Sequence, residues 1–191
     1  MLLYGPPGTG KSYLLGAAAK YITDHYEKSA FFSVKSGDLS AGLRGLPSKK
    51  LMKILDAAVK YENPVVMIDE CEMLFARRDG DNKKSTDEEA TQTLMQYMSG
   101  AAEKAPVSIW GATNYPWRLD KAVLDRLENT IFMPLPTTET LHTHLMQKAD
   151  LAYFCPDADP ARLIGSILFY MEHASYRDMD DLIRAIQRAA L

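Results

Sequence analysis

Cysteine is scarce in this chain: Cys71 and Cys155 are the only two among 191 residues. Two thiols make no disulfide framework for a domain of this length, and they suit a reducing, cytoplasmic compartment. Cys71 directly follows an acidic residue and reads as a buried apolar filler. Charge of one sign is lacking too. The net charge is −3 at pH 7, so no broad basic field attracts nucleic acid, and direct nucleic-acid binding is not expected. No apolar run approaches the roughly 20 residues of a membrane-spanning helix. No secretory leader pattern is visible either, and the expectation is a protein not inserted in a membrane. Repeats and low-complexity tracts are missing, which leaves a solenoid without support. What is present is core-forming capacity. At 47% hydrophobic residues, the chain has enough for one α/β domain plus a small appended one.

The most informative stretch is Gly5-Pro6-Pro7-Gly8-Thr9-Gly10-Lys11-Ser12. It fits G-x-x-x-x-G-K-[ST], the phosphate-binding P-loop. Glycines let successive N–H groups curl around an anion. The helix that follows turns its positive end to the phosphates. Lys11 reaches the β- and γ-phosphates as a point charge, and Ser12 is a ligand for Mg²⁺. Context agrees: Met1–Tyr4 is apolar and strand-like, and Leu14, Ala18 and Ile22 recur at helical spacing after Lys11. Gly5 through Ser12, with the adjoining Tyr13, are the candidate nucleotide-binding residues.

Pro64-Val65-Val66-Met67-Ile68-Asp69-Glu70 is an apolar run that ends in two carboxylates. Such a run suits a central parallel strand buried on both faces, and ligands of open α/β sheets bind at strand carboxyl ends. Asp69 is the candidate partner of Mg²⁺. Glu70 is the candidate group to polarise an attacking water. Val107–Trp110 leads into Gly111-Ala112-Thr113-Asn114. Asn114 is a candidate for holding that water or the γ-phosphate; its plainer reading is a turn residue near Pro116.

Strands are expected near 1–4, 30–34, 64–69, 107–113 and 130–133. Helices are expected near 11–25, 48–60, 87–99 and 120–127. This alternation indicates a five-stranded parallel sheet flanked by helices, an α/β P-loop fold. Thr86 and Glu89 have capping-box spacing. Arg77–Ser85 reads as an exposed loop. After Pro134-Leu135-Pro136 only helical patterns remain, near 137–150, 160–173 and 178–190. Asp159-Pro160 reads as an N-cap followed by proline at the first helical position. Met179, Leu182, Ile183 and Ile186 give the last helix one apolar face. The expected domains are 1–135, an α/β nucleotide-binding domain, and 136–191, a small helical lid. His142 and His144, two apart on a helix, face different ways and do not clamp one metal.

GPPGTGKS, VVMIDE and GATNYPWRLDKAVLDRLENTIFMPLP, in this order, resemble a AAA ATPase module of the AAA+ superfamily. The phrase ATN-x-PW-x-LD resembles the branch of katanin, spastin, fidgetin and the vacuolar-sorting ATPases. Phe31–Val34 through Asp38-Leu39 is similar to that branch as well. The resemblance implies ATP and Mg²⁺ as ligands, a hexameric ring, and ATP bound between subunits. It implies that Arg126 reaches across the interface as a finger that stabilises transition-state charge; the plainer reading is a surface ion pair with Glu128 or Asp120. It also implies that the chain is a fragment of a longer protein, because relatives carry upstream sequence that contacts the adenine.

Three departures stand out. Relatives have two or three arginines where this chain has Leu124-Asp125-Arg126, which points to slow hydrolysis. Relatives present a lysine and an aromatic in the pore loop, where this chain has Gly42 and Leu43 with Arg44; an aliphatic side chain lacks the flat grip of a ring. Relatives have Ser-Gly-Ala/Ser-Asp before the last helix, where this chain has Ser175-Tyr176-Arg177-Asp178. Arg177 is then a candidate contact to the γ-phosphate.

The expected function is an ATP-hydrolysing AAA+ ATPase. It would couple Mg-ATP turnover at subunit interfaces to remodelling or disassembly of a partner protein, through Glu70, Asn114 and Arg126. The alternative is an ATP-dependent assembly module with slow or no hydrolysis. A nucleic-acid loader or helicase is a third reading, disfavoured by the acidic balance.

Overall fold

The computed structural model describes residues 1–40, 46–77, 85–98, 107–148 and 160–189. Five strands, β1 Leu2–Tyr4, β2 Ser29–Lys35, β3 Asn63–Asp69, β4 Ser108–Thr113 and β5 Thr130–Phe132, form one sheet. Their order is β2-β3-β4-β1-β5, and every neighbouring pair is parallel. The intervening helices are α1 Lys11–His25, α2 Ser36–Ser40, α3 Leu46–Ala58, α4 Ser85–Met98 and α5 Lys121–Leu124. Then come α6 Thr138–Lys148, α7 Pro160–Tyr170 and α8 Tyr176–Ala189. The expected α/β sheet is therefore the one observed.

Local sequence explains the layers. Val65, Val66, Met67 and Ile68 of β3 are all buried, as befits a strand covered on both faces. Leu51 and Leu55 of α3 and Leu94 of α4 join Leu2, Val66, Ile68, Phe75 and Ile109 in one core. Each side chain buried there is worth roughly 1.5–3 kcal/mol. Tyr97 of α4 donates its hydroxyl to Asp56 Oδ1 of α3 at 2.6 Å, which fixes the register of the two helices.

The chain divides into two compact units, residues 1–5 with 11–132, and residues 6–10 with 133–191. In the second unit, Leu141 and Leu145 of α6, Ile164 and Leu168 of α7, and Met179 and Ile183 of α8 form a separate core. His144 Nε2 lies 2.8 Å from Asp180 Oδ1. Lys148 Nζ donates to both oxygens of the same carboxylate. Burial opposes the charge on Asp180, but these two partners hold its carboxyl below the ordinary range.

Several expectations are corrected. The buried stripe of α1 is Lys11, Leu15 and Ala19, one residue along from Leu14, Ala18 and Ile22; Leu14 is 45% exposed. A shift of one residue turns a helix face by about 100°, and both stripes are apolar. Helix α4 begins at Ser85, so Thr86 lies inside it and is not the cap. The helix expected over 120–127 closes after Leu124; Asp120 is its N-cap, accepting from Ala122 N at 2.9 Å. Helix α8 starts at Tyr176, two residues before the expected 178. Part of the loop expected over Ser36–Gly45 is the helical turn α2. Gly42, Leu43 and Arg44, most of Arg77–Ser85, Cys155 and Asp159 lie outside the described residues. Among the described residues no helix is long and apolar enough to cross a membrane.

Candidate functional site

Three strand ends meet at one edge of the first unit. Tyr4 of β1 is level with Thr113 of β4, and Ile68 of β3 is level with Gly111 of β4. Gly5, Asp69, Glu70 and Asn114 therefore leave the sheet from adjacent strands on the same side. This is the carboxyl edge, where parallel sheets bind ligands.

The loop after β1 has the backbone that its glycines predict. Gly8 has φ +76° and Gly10 φ +89°, a region that side chains rarely adopt. At Gly8 a Cβ would also lie 2.3 Å from Ser175 Oγ and 3.0 Å from Arg177 Cβ. Glycine is therefore required at this position for space as well as for dihedral angle. Ser175 itself is buried and caps α8. Its N–H and hydroxyl donate to Asp178 Oδ2 at 2.8 and 2.7 Å. The Asp178 N–H returns to Ser175 Oγ at 3.3 Å, which makes a reciprocal capping box. The Ser175 N–H, and after it the hydroxyl, hold the Asp178 carboxyl below its usual range. Thr9 Oγ1 donates to the Pro6 carbonyl at 3.0 Å.

Lys11 begins α1 and is 7% exposed. Its Nζ donates to the Gly5 carbonyl at 2.9 Å, so the ammonium is held over its own loop. Ser12 Oγ donates to Asp69 Oδ2 at 2.8 Å. Two hard oxygen donors from the two motifs are thus side by side, the donor type that Mg²⁺ prefers together with substrate phosphates. Among the described residues no group of three or more His, Cys, Asp or Glu forms a metal cage. The oxygen pair at Ser12 and Asp69 fits a cation completed by phosphate and water.

Glu70 is the most unusual residue of the site. It sits at φ 52°, ψ 43°, a left-handed conformation that costs a non-glycine residue roughly 1–2 kcal/mol. Its N–H donates to Asp69 Oδ1 at 3.0 Å, and its carbonyl accepts from Met73 N at 2.9 Å. The buried Ser36 hydroxyl lies 2.9 Å from the Asp69 carbonyl and 2.8 Å from that of Glu70. The Glu70 residue is exposed. Cys71 behind it is buried, and burial pushes its thiol far up, so it stays neutral. Glu72 is also buried, and among the described residues its Oε2 has no hydrogen-bond partner.

Asn114 is half-buried one residue past β4. The Thr113 hydroxyl before it accepts from Tyr115 N at 2.9 Å. Arg126 is exposed in the turn after α5, with Nη1 donating to the Ala122 carbonyl at 3.2 Å. Neither Glu128 nor Asp120 pairs with it within ion-pair distance among the described residues. Tyr13 is 84% exposed. The structure brings Lys11, Ser12, Asp69, Glu70 and Asn114 to one edge, while Arg126 and Tyr13 face solvent. Two hydrogen-bonding arrangements escaped the sequence reading, the Ser175–Asp178 capping box and the Ser36 hydroxyl. Ser175 with Asp178 was legible as an S-x-x-D spacing. Ser36 carried no signal, because its partners are backbone carbonyls on another strand.

The comparisons follow the geometry. The model of AAA, the ATPase family associated with various cellular activities, matches residues 1–135. Vacuolar protein sorting-associated protein 4A of Homo sapiens is 35% identical over 136 residues, 71% of this chain and 30% of that protein. Protein 4B of Mus musculus is 37% identical over 137 residues, with the same shares. Meiotic spindle formation protein mei-1 of Caenorhabditis elegans is 35% identical over 140 residues, 71% of this chain and 28% of that protein. This chain thus spans under a third of the length of these relatives. The crystal structure of the FIGL-1 AAA domain in complex with ADP superposes with a TM-score of 0.74 at 24% identity. It covers 96% of this chain and 58% of that one; at that identity the likeness speaks for the fold. A family match over the whole sheet, agreeing with the strand order and the P-loop backbone, makes this chain a member of the AAA family of ATPases.

Proposed function

We propose that the chain is the Mg-ATP-hydrolysing module of a ring-forming protein that remodels or disassembles a partner protein. The observation that carries this reading is the contact between the two motifs, Ser12 Oγ to Asp69 Oδ2 at 2.8 Å, beside an unencumbered Glu70. In this reading the N–H groups of Gly5–Ser12 and the Lys11 ammonium bind the phosphates of ATP. Tyr13 follows them on α1. Ser12 and Asp69 would hold Mg²⁺, which neutralises phosphate charge when bound. Glu70 orients and polarises a water for in-line attack on the γ-phosphate, and the Asn114 amide fixes that water from the neighbouring strand. Arg126 of a second copy neutralises the charge that develops in the transition state. Its exposure, and the lack of an ion pair to it among the described residues, support that role. In this reading residues 1–135 are the nucleotide-binding domain and 136–191 a small helical lid domain, with Arg177 as a candidate contact to phosphate. The compartment in this reading is the cytoplasm. The names of the relatives speak of vacuolar protein sorting and of meiotic spindle formation, and the partner is taken to be a protein assembly.

The second reading is an assembly module in which ATP joins subunits and turnover is slow. It is favoured by Asp125, whose carboxylate beside Arg126 weakens the positive potential there. One experiment separates the two. Glu70→Gln should bind ATP as the wild type does while turnover falls at least roughly a hundred-fold. Turnover retained in this variant rejects the hydrolytic assignment. A wild type that binds ATP but turns it over no faster than the variant supports the assembly reading.

A further inference from the structure

We propose that Ser36 is a positioning residue for Glu70, deepening the hydrolytic reading on which it rests. Strands β2 and β3 end level with each other, since Lys35 is paired with Asp69. Ser36 and Glu70 therefore leave the sheet side by side. Ser36 opens α2 and is fully buried. Its hydroxyl lies 2.9 Å from the Asp69 carbonyl and 2.8 Å from the Glu70 carbonyl. Two carbonyl oxygens that converge on one point repel each other unless a donor stands between them. Here that donor is a single hydroxyl proton, shared by both.

The same two carbonyls flank the φ and ψ angles of Glu70. This residue holds a left-handed conformation, φ 52° and ψ 43°, which a side chain resists and which persists only where its surroundings enforce it. Local sequence does not enforce it: neither Asp69 nor Cys71 is a glycine, and the turn that follows has no side-chain cap. Two enforcing contacts are local, Met73 N to Glu70 O at 2.9 Å and Glu70 N to Asp69 Oδ1 at 3.0 Å. Among the described residues, Ser36 adds one from a distant element. The left-handed turn takes the chain sharply out of β3 and aims the Glu70 side chain from the strand end. Ser36 thus sets the direction of the carboxylate through the backbone, by its hydroxyl on the Asp69 and Glu70 carbonyls. A hydroxyl on the segment after β2 carries the alignment of the residue that polarises water on β3.

The test compares wild type, Ser36→Ala, Ser36→Thr and Glu70→Gln in steady-state ATP hydrolysis and in calorimetric binding of ADP. Ser36→Ala should lower kcat by roughly ten- to a hundred-fold, the usual effect of a small misplacement. KM for ATP and the affinity for ADP should stay within about two-fold, because the P-loop is untouched. Ser36→Thr keeps the hydroxyl and should restore kcat to within about three-fold of wild type. A purely structural serine would move KM, ADP affinity and thermal midpoint together, and would give no such split. If Ser36→Ala does not fold, Ser36→Cys carries the same comparison with a weaker donor of similar size. Wild-type kcat in Ser36→Ala, with Glu70→Gln inactive, overturns the positioning role alone. A wild type no faster than Glu70→Gln overturns the hydrolytic reading and this inference with it.

Discussion

Lys11 is a cation kept under cover, 7% exposed with its ammonium on the Gly5 carbonyl. Burying such a charge is costly unless it has partners, and a phosphate adds the strongest one available. Lys11→Ala should weaken ATP binding by roughly a hundred-fold, the scale of a lost charged hydrogen bond; wild-type affinity by calorimetry would contradict the P-loop reading. Lys11, Ser12 and Asp69 were legible in the sequence because each belongs to a short motif with fixed internal spacing. Ser12 and Asp69 were both read toward one Mg²⁺, but their direct bond, Ser12 Oγ to Asp69 Oδ2 at 2.8 Å, is a finding of the structure. The left-handed Glu70 and its Ser36 partner were not legible. Nothing in Asp69-Glu70-Cys71 signals a positive φ, and a serine at a strand end has many partners open to it. Arg126 was legible as a residue but not in its surroundings, because sequence does not say which group an exposed arginine meets; here Nη1 donates to the Ala122 carbonyl.

At the scale of elements, the start of α8 shows chemistry and conformation acting together. Ser175 and Asp178 cap the helix, and Ser175 also fills the space where a Gly8 side chain would stand. The Asp178 carboxyl lies below its ordinary value in the folded chain, so folding favours its charged form. Its contribution is complete above the unfolded value near 4 and is lost as the pH falls through the lower folded value. Asp180 carries the same sign. Denaturant midpoints of this helical unit should therefore drop on acidification below about pH 4, and Asp178→Asn should shrink that drop. Ser175→Ala should cost about 1 kcal/mol at neutral pH. A pH profile for Asp178→Asn parallel to wild type would remove the capping account. Strands were read closely because each is a bounded apolar run. Helix ends were read less well: Thr86 and residue 178 were displaced by the turn before them, and α1 has two adjacent apolar stripes from which packing selected Leu15 and Ala19.

At the scale of the molecule, the role proposed for Arg126 across an interface would make activity a property of the assembly. ATPase rate per subunit should rise with protein concentration, and Arg126→Ala should lower the assembled rate by roughly a thousand-fold. An equal loss in a confirmed monomer would rule out a role across the interface. The strand order has a further consequence, for the timing of folding. Strand β1 lies between β4 and β5, with Leu2 paired to both Gly111 and Thr130. Pairings so distant in sequence form late. During synthesis β1 must wait for β4 before it has one neighbour and for β5 before it has both. The loop that β1 carries is flanked by both neighbouring strands only once residues 130–132 are made. ATP capture by a nascent chain would thus serve as a clock for completion of the sheet.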